Sequence, residues 1–293
     1  MRVTTSQAQR AQLDYIQSNL QRLVKAQDQA ATGKRFQRGS EDPAATADVL
    51  RADSTLAANA QFTRNGDLAI ARASEEDRVL NSVQLMTERA RELASQQANA
   101  TANAGTRLMA KAEVDLLIES AIGLGNTRFN NVFLFGGTRE LEPPLSNTFP
   151  YLTSFVALDN PQIEVADGQL SAPNHNAHEI FIDSGVMQAL RDLSVALDAN
   201  NVTGITNAMP ALATASDRVG RLLGETGARV NQYETIKSQM LVATLDTKVR
   251  RSMIYDIDLT DAAANFAQAQ SAYQAALSAA NRVLNLNVMD YLR

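Results

Sequence analysis

The sequence predicts a mainly α-helical protein in which the N- and C-terminal segments form a long coiled-coil rod and the centre of the chain holds a small β-rich insert. Apolar residues recur at alternating steps of three and four near both ends, as in a coiled-coil seam. Aromatic residues make up only 5% of the chain and tryptophan is absent, which leaves little bulk for a wide core. Near the middle, aromatic and β-branched residues alternate with glycine and proline, which is typical of short strands and turns.

The first apolar stripe lies on one face of a helix predicted over residues 6–32. Its large members are Leu13, Ile16, Leu20 and Leu23. Gly33 is placed to end this helix in a left-handed conformation. Ser40 or Asp42 is placed to cap the next helix, with Pro43 in its first turn, where a missing N–H costs no hydrogen bond.

The second helix continues to about residue 99, so its roughly 55 residues span about 80 Å at 1.5 Å per residue. A turn over residues 99–105 leads to a third helix that ends near residues 123–125. The run Phe129–Gly137 then predicts a strand that enters a turn at the pair Gly136 and Gly137.

Three short runs, residues 151–158, 162–166 and 179–183, make up the β-rich insert. Helical periodicity resumes at Val186, pauses at residues 200–204 and continues to the end of the chain. There the second apolar stripe contains Phe266, Ala269, Tyr273, Ala276 and Val283.

These patterns divide the chain into five segments arranged symmetrically about the insert. They are an N-terminal arm (1–42), the first half of a helical bundle (43–138), the insert (139–184), the second half of the bundle (185–255) and a C-terminal arm (256–293).

The arms carry narrow stripes with alanine at many core positions, so each buries too little apolar surface to be stable alone. We expect the stripe at Leu13–Leu23 to pair first with the stripe at Phe266–Val283 of the same chain, and the combined surface then to meet other copies. The sequence therefore predicts a self-assembling structural subunit. A bundle that packs entirely within one chain would show the same stripes, but it would not need such regular periodicity at both extreme ends.

Several motifs, in this order, resemble those of the flagellin superfamily, and within it the family of hook–filament junction proteins. They are Thr32-Gly33-Lys34-Arg35, Ser40-Glu41-Asp42-Pro43, Arg91-Glu92-Leu93-Ala94, Asn126-Thr127-Arg128, Phe133-Leu134-Phe135-Gly136-Gly137-Thr138, Asp256-Ile257-Asp258-Leu259 and Val288-Met289-Asp290-Tyr291-Leu292. The likeness covers both helical ends, about four-fifths of the chain, and leaves the insert unmatched.

The resemblance implies a secreted, extracellular subunit of the bacterial flagellum, exported by the flagellar type III apparatus with the help of a chaperone. It implies a homo-oligomeric ring or helical lattice that contacts a neighbouring hook-associated protein on one side and flagellin on the other. It also implies that the arms form an inner tube. A filament subunit of the flagellin type is the alternative within the superfamily, and a coiled-coil scaffold or signalling protein is the alternative outside it.

The chain shows no pattern that predicts catalysis, a cofactor or a metal site. His175 and His178 are three residues apart in a segment predicted to be a solvated loop, whereas a helical zinc motif spaces its histidines by four. Asp256, Asp258 and Asp261 lie where a helix restarts, and Asp258 or Thr260 is placed to cap that helix.

Charge and hydropathy also narrow the choice of partners. The net charge is −5 and the charges of both signs are interspersed, so neither nucleic acid nor an anionic membrane is an expected partner. Residues 1–7 lack the apolar core of a signal peptide, no stretch is apolar enough to cross a membrane, and no cysteine is present. We therefore expect export that does not use the general secretory route.

Overall fold

The computed structural model describes residues 2–99, 102–149, 151–153 and 159–291, of which residues 2–6, 8, 9 and 283–291 are described by their backbone alone. The helices are α1 (Arg2–Thr32), α2 (Pro43–Gln97), α3 (Ala104–Gly125), α4 (Val186–Asp198), α5 (Val202–Tyr255) and α6 (Leu259–Tyr291). The strands are β1 (Arg128–Phe129), β2 (Val132–Phe133), β3 (Ile163–Ala166) and β4 (Gln169–Ser171). The predicted fold class, mainly α with a small β insert, is therefore confirmed.

The chain divides into two compact units. The terminal unit comprises Met1–Ala58 together with Ala243–Arg293, and the central unit comprises Asn59–Val242. Helices α2 and α5 each contribute residues to both units. No helix in the described ranges is apolar over a long enough stretch to cross a membrane.

The core of the central unit is formed by α2, α3, α4 and α5. Helix α4 is the clearest amphipathic element and buries Val186, Met187, Leu190, Leu193 and Leu197. Side chains of this size each contribute about 1.5–3 kcal/mol when fully removed from water. Most of the core is therefore aliphatic, in agreement with the low aromatic content, and the fully buried rings of Phe135 and Phe181 complete it.

Strands β1 and β2 form a tight antiparallel hairpin where the sequence predicts one strand. Asn130 and Asn131 connect them with φ angles of 50° and 68°, a conformation that asparagine tolerates better than most residues. After β2 the chain turns sharply again, and the N–H of Phe133 donates to the carbonyl of Glu140 at 2.7 Å. A Cβ atom on Gly136 would lie 2.8 Å from the carbonyl oxygen of Arg139, so this turn requires glycine.

The insert is only partly built from strands. Strands β3 and β4 pair as a hairpin, and β3 lies inside the predicted run 162–166. Of the predicted run 151–158, the structure describes residues 151–153, and residues 154–158 lie outside the described residues. Within this run, Leu152 forms an isolated bridge with Leu145.

The predicted strand over residues 179–183 is wrong, because His178–Asp183 forms a π-helical turn. Its aromatic and β-branched composition favours a strand. However, the adjacent residues Ile180 and Phe181 are both fully buried, and a strand would point them to opposite faces. Packing in the core therefore overrides the local preference.

Arg107 joins three segments of the central unit. It is buried, and its Nε donates to the carbonyl of Gln97 at 3.2 Å, next to the end of α2. Its Nη1 donates to Oδ1 of Asn200, in the turn between α4 and α5, at 2.5 Å. The guanidinium therefore satisfies carbonyl groups that the end of a helix leaves without partners.

We expect Arg107→Ala to lower the free energy of unfolding of the central unit by about 2–3 kcal/mol, because it leaves buried acceptors without donors. Urea unfolding of the full chain, with hydrogen exchange of the α3 amides as the local probe, measures this loss. Arg78→Ala is the matched control, since Arg78 is exposed and pairs with Glu75 on the same helix. Equal effects of the two substitutions would contradict the role assigned to Arg107.

Candidate assembly interface

Helices α1 and α6 of the terminal unit pack side by side and run in opposite directions. Both contribute a row of buried or half-buried residues at steps of four, three, four, three and four, the spacing of a coiled-coil seam. The row on α1 is Gln12, Ile16, Asn19, Leu23, Ala26 and Ala30. The row on α6 is Ala262, Phe266, Ala269, Tyr273, Ala276 and Ala280.

The two rows match level by level. Lys34 and Asp256 form an antiparallel bridge, which fixes the register at one end of the pair. Stepping along both helices from this bridge, we infer six levels that run from Ala30 opposite Ala262 to Gln12 opposite Ala280. The intermediate levels each place a larger residue against an alanine, except the level of Asn19 and Tyr273. Alternation of large and small residues lets two helices approach closely.

The sequence-predicted stripe on α6 coincides with this seam. Phe266, Ala269, Tyr273 and Ala276 are all half-buried in it, and the side chain of Val283 lies outside the described residues. On α1, the residues Ile16 and Leu23 lie in the seam.

Leu13 and Leu20 do not lie in the seam, contrary to the expected pairing, and they are 59% and 42% exposed. The seam positions next to them are the polar residues Gln12 and Asn19, which a search for apolar periodicity passes over. Polar residues at single seam positions fix register at some cost in stability. Helix α1 therefore has an apolar edge that remains free beside the seam.

The predicted motif residues hold the base of the helix pair. Gly33 ends α1 with a φ of 67°, as predicted. The N–H of Arg35 donates to the carbonyl of Tyr255 at 2.8 Å, and the N–H of Ile257 donates to the carbonyl of Gly33 at 3.0 Å. Between these bonds, Nζ of Lys34 lies 2.5 Å from Oδ1 of Asp256. The segment that follows α1 and the segment that precedes α6 thus form one short antiparallel pair.

Aromatic contacts also stabilise the base of the helix pair. Phe36 is buried, and its ring meets that of Tyr255 edge-on with centroids 5.2 Å apart. The ammonium of Lys34 lies 4.7 Å from the centroid of Tyr255, within the range of a cation–π contact. Arg251 lies over the same ring at 5.4 Å and pairs with Asp53 of α2.

The acidic motif residues serve as caps and structural ties. Asp42 caps α2 by accepting from the N–H of Ala45 at 2.9 Å, while Ser40 does not form this bond. Asp258 caps α6 by accepting from the N–H of Thr260 at 2.7 Å, and this bond lowers the pKa of its carboxyl group. Hydrogen bonds from Lys34, then Ser252, lower the pKa of Asp256. Asp261 lies in the first turn of α6, where a negative charge is favourable.

Comparison with known proteins agrees with this architecture. The family model described as the bacterial flagellin N-terminal helical region matches residues 3–140. The flagellar hook-associated protein 3 of Escherichia coli is 22% identical over 99% of this chain and 99% of its own length. Residues 3–140 therefore match the flagellin N-terminal region, and the chain as a whole is similar to hook-associated protein 3.

Two further likenesses are to a flagellin and to a hook-associated protein. A flagellin of Listeria innocua is 25% identical over 88% of this chain and 87% of its own length. A solved structure of a flagellar hook-associated protein from Vibrio parahaemolyticus has the same fold, with a TM-score of 0.66 and 20% identity over 73% of this chain and 99% of that one. Tyr291 and Leu292 end the last of the motifs on which the resemblance was based. The side chain of Tyr291 and the whole of Leu292 lie outside the described residues.

The central unit contains a buried charged cluster that the sequence did not predict. His175 is 4% exposed and is therefore not in a solvated loop as expected. Its backbone N–H and its Nδ1 both approach Oε1 of the fully buried Glu76, at 3.0 and 2.6 Å. On the other side of the ring, Nε2 lies 2.7 Å from Nη2 of Arg229 and 3.3 Å from Oε2 of Glu225.

The cluster connects α2, the insert and α5. No local signal marks it, because Glu76 and Arg229 lie about a hundred and fifty residues apart and only the fold brings them together. Among the described residues, no three or more His, Cys, Asp or Glu side chains are grouped in a way that suits a metal ion. The contacts of His175 tie α2, the insert and α5 together.

The protonation state of His175 contributes to stability. Burial lowers the pKa of His175, but the hydrogen bond to Glu76 and the charge of Glu76 together raise it by more, so that the pKa lies above its ordinary value. Arg229 opposes this effect and Glu179 adds to it. A raised pKa means that the folded state binds the proton more tightly than the unfolded state does.

We therefore expect the stabilisation from His175 to be complete below about pH 6.5 and to be lost as the pH rises through its folded pKa. His175→Gln should reduce the free energy of unfolding more at about pH 6 than at about pH 9, measured by urea unfolding of the full chain at both values. His178→Gln is the matched control, since His178 is more exposed and contacts only Asp183 among the charges of this turn. A difference between wild type and His175→Gln that does not change with pH would contradict the assignment.

The helix pair can be tested with two neighbouring alanines of α6. Ala276 lies in the seam and Ala275 is exposed, so Ala276→Asp places a charge between the helices and Ala275→Asp places it in water. We expect hydrogen exchange of the α1 and α6 amides to become at least tenfold faster only in Ala276→Asp, while α3 and α4 keep their protection. Protection of α1 that is equal in both variants would show that the seam does not hold the pair together.

Proposed function

We propose that the chain is a structural subunit of the bacterial flagellum that forms the junction between hook and filament and serves as the platform on which flagellin polymerises. The α1–α6 pair carries this proposal, because it joins the two ends of the chain into one surface that remains incompletely buried. Ile16, Leu23, Phe266 and Tyr273 are only half-buried after pairing. Packing against other subunits is the way in which such a surface is covered.

The choice of the junction rests on the full-length likeness to hook-associated protein 3, which extends over both arms and the insert. In this role the arms 1–42 and 256–293 form an inner tube, the segments 43–138 and 185–255 form a surrounding bundle and the insert 139–184 faces outward. The subunit is exported through the flagellar type III apparatus with a chaperone, assembles outside the cell as a ring or helical lattice, and contacts a hook-associated protein on one side and flagellin on the other. Its role is mechanical and uses no catalysis.

A filament subunit is the second candidate, since flagellins of the Listeria genus match the chain over a similar length. A junction and a filament differ in where the subunit is found. A general coiled-coil scaffold is disfavoured, because uninterrupted heptads would exclude the hairpins and the glycine turn that interrupt this chain.

The natural absence of cysteine allows a direct test. Asp167 is exposed in the turn between β3 and β4, so Asp167→Cys provides one reactive thiol for a maleimide dye on living cells. We expect one fluorescent focus at the base of each filament, with the wild-type chain as the unlabelled control. Label along the whole filament would favour the filament subunit, and label that never reaches flagella would overturn both candidates.

A further inference from the structure

The two ring nitrogens of His175 face different helices of the central unit. Nδ1 lies 2.6 Å from Oε1 of Glu76 on α2, and the backbone N–H of His175 donates to the same oxygen at 3.0 Å. Glu76 is fully buried, so its carboxylate accepts both bonds away from water. Because an ionised carboxylate can only accept, Nδ1 carries a proton. These two bonds fix the orientation of the ring and leave Nε2 for α5.

Nε2 lies between two residues of α5 that are one helical turn apart and have opposite charges. Its distance is 2.7 Å from Nη2 of Arg229 and 3.3 Å from Oε2 of Glu225. A guanidinium nitrogen can only donate, so the contact with Arg229 requires an Nε2 without a proton. A carboxylate can only accept, so a hydrogen bond to Glu225 requires an Nε2 that has one. The ring therefore satisfies one of these partners at a time.

We propose that His175 exchanges its partner on α5 when its protonation state changes. The neutral ring keeps its proton on Nδ1 and accepts from Arg229 through Nε2. When Nε2 takes up a proton from water, the ring donates from Nδ1 to Glu76 as before and from Nε2 to Glu225. Arg229 then moves away from the ring, because two positively charged donors repel each other. The insert stays tied to both helices in either state, and its contact on α5 shifts by four residues.

Charged groups from each element packed around His175 bear on this exchange. They are Arg72 and Glu76 on α2, Glu140 in the turn after β2, Glu179 in the π-helical turn, and Glu225 and Arg229 on α5. Arg72 pairs with Glu140, so these two charges are already matched. The charges of Glu76 and Glu179 favour the protonated ring, and the charge of Arg229 favours the neutral ring. Burial disfavours the charged ring, which therefore depends on its carboxylate partners.

The two partners on α5 are free enough to exchange. The side chain of Glu225 is 61% exposed, and its distance from Nε2 is only slightly longer than a charge-assisted hydrogen bond, so a small rotation completes that bond. Nη1 of Arg229 is buried without a hydrogen-bond partner in the part of the chain that the structure describes. That nitrogen does not anchor the guanidinium beside the ring.

The proton positions can be measured directly, because the chain has only two histidines. We expect the ¹⁵N NMR spectrum of the full chain, labelled at histidine, to show a protonated Nδ1 and an unprotonated Nε2 above the midpoint pH of His175, and two protonated nitrogens below it. His178→Gln assigns the remaining signals to His175, so the cluster itself needs no substitution. A neutral ring with its proton on Nε2 would overturn the proposal, and so would a ring that stays charged until the chain unfolds.

Glu225→Gln tests the protonated state. We expect it to lower the midpoint pH of His175 by about half a unit, because the protonated ring loses a charged acceptor, while the neutral ring keeps its proton on Nδ1. Glu234→Gln is the matched control, since Glu234 is exposed on the same helix, and it should leave the midpoint unchanged. Equal shifts in the two variants would show that Glu225 is not a partner of the ring.

Arg229→Met tests the neutral state. We expect the Nε2 signal above the midpoint to move to the position of a nitrogen without a hydrogen-bond donor, and the midpoint itself to rise because a positive charge is lost. Arg221→Met removes an exposed positive charge from the same helix and should leave the Nε2 signal in place. An Nε2 signal that is the same in both variants would overturn the exchange. All the groups involved lie in the central unit, so either result leaves the proposed junction role intact.

Discussion

The terminal unit depends on the place where the chain after α1 meets the chain before α6. Lys34 and Asp256, 222 positions apart, pair there between two backbone hydrogen bonds. The entropic cost of bringing two chain segments together grows only slowly with the number of residues between them. Joining these distant residues therefore costs only a little more free energy than joining closer ones. Once the ends are joined, each further level of α1 against α6 needs no new loop closure. The contacts between residues 33–36 and 255–257 therefore set the register of the whole helix pair.

The composition of the seam explains why this alignment is needed. Three of its members, Ala26, Ala262 and Ala280, are buried but small, and Gln12 and Asn19 contribute polar groups. A seam of this kind gains little free energy per level, and isolated helices gain little more from their own hydrogen bonds. A fixed register lets these small gains add up at matching levels. Larger residues, Phe266 and Tyr273 among them, remain half-buried, so the helix pair leaves part of its apolar surface exposed.

The sequence is informative wherever one physical rule dominates. Periodicity located the long helices of the described ranges, and Gly33 was correctly expected to end the first of them. The rules for helix caps narrowed the choice to Ser40 or Asp42 and to Asp258 or Thr260, and the structure shows Asp42 and Asp258. The same reasoning failed where tertiary packing dominates. It missed Asn19 as a seam residue because it is polar, and it assigned a strand to residues 179–183, where two adjacent buried side chains require a helical turn. It also placed His175 in a solvated loop, because the partners that bury this residue come from helices far away in sequence.

The two units solve the problem of scarce aromatic residues in different ways. The central unit buries aliphatic side chains and supplements them with internal ties, namely Arg107 at the helix ends and the cluster around His175 and Glu76. Buried charges are costly unless each has a partner, so such ties specify one arrangement of the helices more than they add stability. The terminal unit has few internal ties beyond its base, and it leaves apolar rows on α1 and α5 exposed. Buried polar ties thus specify the helix arrangement of the central unit, whereas the contacts at the base of the α1–α6 pair set the register of the terminal unit.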